Sequence, residues 1–329
     1  GWPTMAPSKP APDPANAVRS AVAAALHRWR SRAGGLTRVR VALSGGHDSI
    51  VLLHALHGLH QARSGDSSWT LQAHHVHHGL SSNADTWVAH CEAVCQALNV
   101  PLTVSRVDVD RNDPRGIEAA AREARYAALQ AGAADEQSGE TGTTVVALAH
   151  HARDQAETVL LQLLRGAGPR GLAAMPATDG ELYSRPLLTL PHTAIAGYAA
   201  RHGLTWIDDD SNGDQRFARN RLRHAVWPAL TAAFPAAERT LARASGLQAE
   251  AAELLDDLAV IDLATISSTG KDTDEELEQA LIVSRLQRLS PARQANLLRH
   301  WMARHAIAAV AENTLHEWLR QLATTNPTQ

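Results

Sequence analysis

The chain has 329 residues, of which 44% are hydrophobic and 20% charged, and its formal net charge is −3. The length suits two domains, and the small net charge argues against a generally cationic nucleic-acid-binding protein. The sequence contains no run of about 18 apolar residues, so we expect no membrane span. The two cysteines, Cys91 and Cys95, lie in a predicted helix, as expected of buried thiols in a reducing cytoplasm.

The order of elements predicts the architecture. Residues 1–16 are rich in Pro and Ala and lack an apolar signal core, so we expect a disordered leader there. Residues 17–215 alternate short strands with amphipathic helices, interrupted by a glycine-rich loop at Arg165–Gly171, which predicts an α/β fold with a doubly wound parallel sheet. Strands are expected at Val39–Leu43, Thr70–Val76, Leu102–Val107 and Thr144–Ala149, and helices at Ser49–Gln61, Ala84–Leu98, Ile117–Ala131, Gln155–Leu164 and His192–His202. Residues 216–329 predict a smaller all-α domain with a flexible break at Thr265–Asp274.

A loop of small residues follows the first predicted strand and precedes a helix that should begin near Asp48. It reads Ser44-Gly45-Gly46-His47-Asp48-Ser49. Backbone N–H groups at a helix N-terminus attract anions, and glycine lets the backbone approach a phosphate closely. The lysine of a Walker-type loop is missing, because the only lysines of the chain are Lys9 and Lys271. The hexapeptide resembles the pyrophosphate-binding loop of enzymes that split ATP between its α and β phosphates; an ordinary capped strand–turn–helix is the alternative.

Two carboxylates and two histidines follow the fourth predicted strand. Asp154 and Glu157 are three residues apart and share one face of a helix, where they could hold Mg²⁺ or an ammonium group. His150 and His151 could contact phosphate or carry protons. Acidic residues in the first turn of a capped helix are equally common without any function.

Histidines also surround the end of the second strand, at His74, His75, His77 and His78. Because no cysteine or carboxylate lies beside them, we favour structural and pocket-lining roles over a zinc site.

Arginines are the candidates for phosphate contacts. Arg122 lies one helical turn after Glu118, and the pair could form either a salt bridge or, through the arginine, a clamp for a triphosphate or RNA phosphate. A second group follows a polar turn and consists of Arg219, Asn220, Arg221 and Arg223. Acidic residues concentrate elsewhere, at Glu250–Glu278, so we expect this second group to form a face for RNA. A solvated helix face is the alternative.

The order of these motifs resembles that of the tRNA(Ile)-lysidine synthases, from about Val39 to the helical tail. The matching segments are Ser44–Ser49, His75–Leu80, Gly116–Tyr126, His151–Thr158, Arg165–Leu172, Arg185–Leu187, Asp210-Ser211-Asn212 with Asp214, Arg219-Asn220 and Arg223. The chain departs from the family at Arg153, where an aspartate is usual, and we expect it to lack the further β-rich domain that many members carry after the helical one.

The resemblance implies a fold of the PP-loop ATP pyrophosphatase type and a ligase that uses ATP and Mg²⁺. ATP would activate the C2 oxygen of the wobble cytidine in tRNA(Ile) with a CAU anticodon, and free L-lysine would then displace AMP. The resemblance assigns Ser44, Gly45, Gly46, His47, Asp48 and Ser49 to the nucleotide, with Asp48 also holding the metal. Asp154 and Glu157 would bind lysine, and His150 and Arg122 would serve the nucleotide side.

Three rival interpretations remain at this point. An RNA thiolase needs reactive thiols, commonly spaced Cys-x-x-Cys, whereas Cys91 and Cys95 are spaced otherwise. A synthetase coupled to an amidotransferase needs an ammonia-supplying partner, and we expect neither a glutaminase nor a sulfur-carrier partner. The third rival is a tRNA- or nucleotide-binding protein with an inactive site.

Overall fold

A computed structural model gives the structure of residues 13–31, 35–62, 69–81, 83–135, 143–208, 213–214, 216–266, 281–308 and 310–324. The chain divides into two compact units, Gly1–Ser245 and Gly246–Gln329.

The first unit is built on a six-stranded sheet with the order β3-β2-β1-β4-β6-β5. The strands are β1 Leu36–Ala42, β2 Thr70–His77, β3 Leu102–Arg106, β4 Thr143–Ala147, β5 Thr178–Asp179 and β6 Tyr183–Ser184. All neighbouring strands are parallel except β5 and β6, which pair antiparallel. Val41 of β1 pairs with Ala73 on one side and Ala147 on the other, so β1 lies at the centre of the sheet.

Helices cover both faces of this sheet. They are α1 Pro14–Arg30, α2 His47–Gln61, α3 Ala84–Leu98, α4 Ile117–Asp135, α5 Ala152–Leu164, α6 Pro169–Leu172, α7 His192–His202, α8 Ala218–Arg221 and α9 Trp227–Ala233, with one π-helical turn at Leu222–Val226 between the last two. Val39 and Val41 are fully buried in one core with residues of α1, α2 and α7, whereas Val146 is fully buried in a second core with Leu129 of α4. The expected doubly wound α/β fold is confirmed.

The start of α1 corrects the expected leader. Residues 14–16 are helical, not disordered, because Pro14 occupies the first turn and the Asp13 carboxylate accepts a hydrogen bond from the Ala15 N–H (3.1 Å). Ala15 is buried in the core. The rest of the expected leader, residues 1–12, lies outside the described residues.

Most other differences concern element ends. Helices α2 and α5 begin two and three residues before the predicted starts at Ser49 and Gln155. Strand β4 ends at Ala147, not Ala149. The glycine-rich loop at Arg165–Gly171 contains the start of the short helix α6, whose N-cap is Gly168.

The described residues of the second unit form helices joined by short turns, with a bridge residue at Leu281. Its helices are the end of α10 Ala237–Ile266, then α11 Val283–Leu286, α12 Pro291–Arg304 and α13 Glu312–Thr324. One core contains Ala259 and Leu297, and the buried carboxylate of Asp262 is ion-paired with Arg293 of α12. Most of the expected flexible break lies outside the described residues.

The division between the units falls inside α10, whereas the sequence places it between residues 215 and 216. Residues 216–245 pack with the sheet domain because they carry side chains that bond to α5. Gln155 of α5, for example, donates a hydrogen bond to Ser245 Oγ (3.1 Å). The boundary moves accordingly to Ser245 and Gly246.

No helix within the described part of the chain is long and apolar enough to cross a bilayer.

Replacement of Trp29 by Ala should lower the free energy of unfolding by roughly 3–5 kcal/mol, because the indole of α1 is fully buried. Its Nε1–H also donates to Ser184 Oγ of β6 (3.1 Å). Chemical denaturation would measure the change. Phe234→Ala is the control, since that ring is 65% exposed and should cost less than about 1 kcal/mol. Equal stability of the Trp29 variant and the parent would contradict the packing of α1.

Candidate active site

The loop Ser44–Ser49 joins β1 to α2 and is held by its own side chains. Ser49 Oγ donates to the Gly46 carbonyl (2.9 Å) and accepts from the Ser44 N–H (3.2 Å). Gly45 has φ +86°, and a Cβ there would lie 3.1 Å from the sulfur of buried Cys91. The fold itself therefore requires glycine at position 45.

Gly46 has a different role. It is the N-cap of α2 with φ −80°, and no side chain caps this helix end. A Cβ at Gly46 would make only ordinary contacts, the nearest being Ser44 Oγ at 3.4 Å. The fold therefore tolerates a side chain here, and the lack of one leaves the N-terminus of α2 open to an anion.

A cavity of about 430 Å³ opens at the carboxyl ends of the central strands. This is the edge where parallel sheets bind ligands, at the point where strand order reverses around β1. Its lining brings together most of the residues that the sequence singled out, namely Ser44, Gly46, His47, Asp48, Ser49, His74, His75, His77, His78, Arg122, Arg125, His150, Asp154, Arg219 and Arg223. Glu157, Asn220 and Arg221 do not line it.

The histidines of β2 are structural lining. His75 Nδ1 donates to the Leu43 carbonyl (2.8 Å), and His74 Nε2 lies 2.9 Å from Ser105 Oγ. Burial, together with the nearby charge of Arg40, lowers the pKa of His74 to about 4. Within the described part of the chain, no group that could hold a metal includes any of these histidines.

Asp48 is the ionised carboxylate at the mouth of the loop. Its oxygens lie 2.7 Å from His47 Nδ1 and 3.3 Å from His151 Nε2. Burial alone would raise the pKa of Asp48, but the hydrogen bonds from His151 and His47 outweigh it and hold the pKa far below its usual range. A partly exposed, ionised carboxylate beside a phosphate-binding helix end fits Mg²⁺, which takes one or two carboxylates and keeps several waters.

Glu157 lies at the centre of a buried ionic cluster. Its side chain is fully buried, with Arg223 Nε at 2.7 Å, Arg219 Nε at 3.2 Å and Arg153 Nε at 3.5 Å from its oxygens. Arg223 also reaches Asp154, with Nη2 2.9 Å from Oδ1. The second oxygen of Asp154 accepts the His151 N–H (3.1 Å) and so caps α5.

The cluster bears on the expected RNA face. Arg219 and Arg223 are paired with carboxylates of α5 and line the cavity, so they are not freely solvated side chains. Asn220 is buried and donates to the Asp214 carbonyl (3.0 Å). Only Arg221 of the four is exposed. The neighbouring motif Asp210-Ser211-Asn212 lies outside the described residues.

The cluster also bears on the expected lysine site. Each carboxylate already has cationic partners, so an ammonium group would have to share or replace a guanidinium. Asp154 lines the cavity, whereas Glu157 lies behind it. The two carboxylates, equivalent in the sequence, are therefore unequal in the structure.

Positive charge lines another part of the cavity. Arg122 is exposed, and its guanidinium lies 4.9 Å from the centre of the Tyr126 ring. Arg125 is half-buried, and desolvation lowers the pKa of its guanidinium. His150 is also half-buried, and its desolvation, together with the charges of Arg125, Arg185 and Arg219, lowers its pKa to about 3. This pKa favours a neutral imidazole at physiological pH.

Sequence reasoning missed several residues of this region. Arg185 follows β6 and donates to the Pro176 carbonyl (2.8 Å). Trp206 contacts the His47 ring edge-on with centroids 4.6 Å apart, and His192 lies 5.7 Å from the same ring. The motif Arg185-Pro186-Leu187 could have indicated Arg185 as a residue of the site. Nothing in the sequence links position 192 or 206 to position 47.

The sheet order and the small-residue loop define the class of protein, since residues 19–230 also match the PP-loop domain model. The chain belongs to the PP-loop family. Residues 281–329 match a second model, described as the TilS substrate binding domain.

Comparison with curated proteins shows which members of the PP-loop family this chain is similar to. The chain is 46% identical over 294 residues to a tRNA(Ile)-lysidine synthase of Pseudomonas aeruginosa, covering 88% of this chain and 63% of the relative. It is 42% identical over 300 residues to one of Chromobacterium violaceum, covering 90% and 64%. Both relatives are named tRNA(Ile)-lysidine synthase, and the chain spans about three fifths of their length.

A solved structure supports the fold alone. The U34-tRNA thiolase NcsA from Methanococcus maripaludis, with its [4Fe-4S] cluster, superposes with a TM-score of 0.57 at 15% identity. The match covers 71% of this chain and 78% of the thiolase.

Replacement of Glu157 by Gln should lower the free energy of unfolding by roughly 3–5 kcal/mol, because it leaves buried guanidinium groups without their counter-charge. Glu317→Gln is the matched control, since Glu317 is 45% exposed in its pair with Arg320 and its replacement should change the stability far less. Denaturant titrations of both variants measure the difference. Similar small losses in the two would contradict the buried cluster.

Replacement of His150 by Gln should make the protein less sensitive to acid. Between about pH 6.5 and the folded pKa of about 3, the unfolded chain binds a proton at His150 and the folded chain does not, so the parent loses stability as pH falls. The variant lacks this penalty. Its stability relative to the parent should rise by about 1.4 kcal/mol for each pH unit below pH 6.5. A difference that is constant from pH 7 to pH 4.5 would contradict a neutral, half-buried imidazole.

Proposed function

We propose that this protein ligates free L-lysine to C2 of the wobble cytidine of tRNA(Ile) with a CAU anticodon, in the cytoplasm. The reaction proceeds through an adenylated tRNA, forms lysidine, and releases pyrophosphate and AMP. The observation that carries the proposal is the loop at Ser44–Ser49, which opens with its uncapped helix N-terminus into a cavity lined by arginines and by ionised Asp48. The relatives named tRNA(Ile)-lysidine synthase supply the choice of substrate.

The nucleotide binds along the loop. The N-terminus of α2 accepts the pyrophosphate end of ATP between Ser44 and Ser49, and Arg122 approaches the phosphates from the opposite side. Asp48 would hold Mg²⁺, and the bound ion would neutralise charge on the departing pyrophosphate. Arg125 supplies a fixed positive charge and neutral His150 a polar side chain, and neither needs to rearrange as charge develops.

The activation step explains why ATP is needed. C2 of cytosine is a poor electrophile because its oxygen is a poor leaving group. Attack of that oxygen on the α phosphate makes a phosphate ester of it, with pyrophosphate leaving toward the loop. The oxygen can then depart as part of AMP when the amine attacks C2.

The amine step uses the two carboxylates differently. Asp154 faces the cavity and binds the ammonium of the incoming lysine, sharing its charge with Arg223. Glu157 holds Arg219 and Arg223 in place and does not meet the substrate. The ε-amino group attacks C2 only after its ammonium form has lost a proton to solvent, because the lowered pKa makes His150 a weak base at neutral pH.

The residues first expected to contact RNA differ in exposure. Exposed Arg221 remains a candidate for a phosphate contact, while Arg219, Asn220 and Arg223 bond to groups within the first unit. Residues 281–329 match the substrate-binding model and are the second candidate region for tRNA.

Sulfur transfer, the chemistry named for the thiolase with the similar fold, is not favoured. The chain has two cysteines, and both are buried. Burial raises the pKa of Cys91 to about 12 and that of Cys95 to about 11. Thiols of this kind are neither nucleophiles nor cluster ligands at neutral pH.

The test is mass analysis of wobble nucleosides after incubating the protein with ATP, Mg²⁺, lysine and the tRNA(Ile) transcript. We expect cytidine to gain one lysine with loss of water, and pyrophosphate to be released with or without lysine. A transcript with guanosine at the wobble position should give neither product. Gly46→Val should abolish both, because its side chain fills the anion site without disturbing the fold. Pyrophosphate release that leaves cytidine unchanged in the presence of lysine would overturn the proposal.

A further inference from the structure

A group of potential metal ligands lies where the N-termini of α2 and α7 meet. It consists of His47, Asp48 and His192, which each offer one ligand atom, and these atoms all lie within 4.8 Å of one another. Two of the residues follow β1 directly, and the third begins a helix about 140 residues later. The sequence therefore gives no sign of the group, and neither of the matching family models is described as metal-binding.

Each of the three residues has a further partner. The indole of Trp206 contacts the edge of the His47 ring, with centroids 4.6 Å apart. The carboxylate of Asp48 has His151 Nε2 at 3.3 Å from its second oxygen. The backbone N–H of His192 donates to Glu238 Oε1 (2.9 Å), which fixes the first turn of α7. Metal sites use such outer partners to orient their ligands.

The ligand types are informative. Mg²⁺ prefers oxygen ligands and near-ideal octahedral geometry, whereas imidazole suits zinc, nickel, iron and copper. Two imidazoles and one carboxylate are three protein ligands, the number found in sites that leave a coordination position open for water or substrate. His47 and Asp48 both line the cavity, so that open position would face the phosphate loop.

We propose that His47, Asp48 and His192 form a binding site for a divalent transition-metal ion in the nucleotide-free protein, and that the two imidazoles make this site prefer such an ion over Mg²⁺, so that the ion competes for Asp48 with the Mg²⁺ that would accompany the nucleotide. The ion would sit beside the loop that binds the nucleotide phosphates. This last point rests on the proposed function, but binding of the metal to the nucleotide-free protein does not.

The test uses Co²⁺ as the probe, titrated into untagged, nucleotide-free protein and followed by the visible d–d absorption of the bound ion. We expect one Co²⁺ per chain, and an equal concentration of Mg²⁺ should not displace it. His192→Gln and His47→Gln should each weaken Co²⁺ binding by more than the roughly 10-fold to 100-fold that loss of an outer partner costs. His316→Gln removes an exposed histidine on α13 and should leave binding unchanged.

A second measurement covers the case of a variant that folds poorly. Co²⁺ should raise the thermal unfolding midpoint of the parent and of His316→Gln, because it binds only the folded state, but not that of His192→Gln. Equal Co²⁺ affinity in the parent and both site variants would show that the 2.7 Å contact between His47 and Asp48 is a structural hydrogen bond only. Displacement of Co²⁺ by equimolar Mg²⁺ would overturn the selectivity. Neither result would count against the proposed function, which is tested separately by ATP binding and lysidine formation.

Discussion

The buried carboxylate of Glu157 is the constraint on which the candidate site depends. A fully buried negative charge is tolerated only when cations and hydrogen bonds replace its water, and here Arg219 and Arg223 do so. Both come from the segment at α8 and the π-helical turn, so that segment must pack against α5. Arg223 then also reaches Asp154, which caps α5 and faces the cavity. The buried charge of Glu157 thus holds α8 and the π-helical turn against α5, which contributes to the wall of the cavity.

The charged side chains around the cavity are divided between a negative side and a positive side. Asp48 and Asp154 supply negative charge on the side of the helix N-termini, while Arg122 and Arg125 supply positive charge on the side of α4. His150 is neutral between them because burial among arginines opposes its protonation. A polyanion with a bound cation is complementary to both sides, whereas an uncharged ligand would leave these groups without partners.

The sequence predicts the fold far better than the orientation of its arginines. The ends of α3 and α7 agree with the predicted Ala84–Leu98 and His192–His202, because hydrophobic periodicity and a left-handed C-cap, at Asn99 and Gly203, mark them clearly. The helix at Pro14 was hidden by its Pro- and Ala-rich composition, although Asp13 before Pro14 is a typical helix start. A long arginine side chain can meet either solvent or a distant carboxylate, and only the tertiary packing of α8 on α5 distinguishes the two for Arg219. His192 likewise becomes a neighbour of His47 only through the order of strands.

The departure from the family at Arg153 becomes understandable in this setting. An aspartate at that position would place a third negative charge beside Asp154 and Glu157, and it would need a cation or a metal ion of its own. Arg153 instead adds a positive charge 3.5 Å from Glu157, and its guanidinium lies over the ring of buried Trp227 at 5.2 Å from the centroid. The side chain thus serves the buried cluster and the packing of α9, so the substitution is consistent with a folded and intact site. Asp48, which contacts His151 on the same side of the cavity as Asp154, is not part of this cluster and remains the carboxylate proposed for a metal ion.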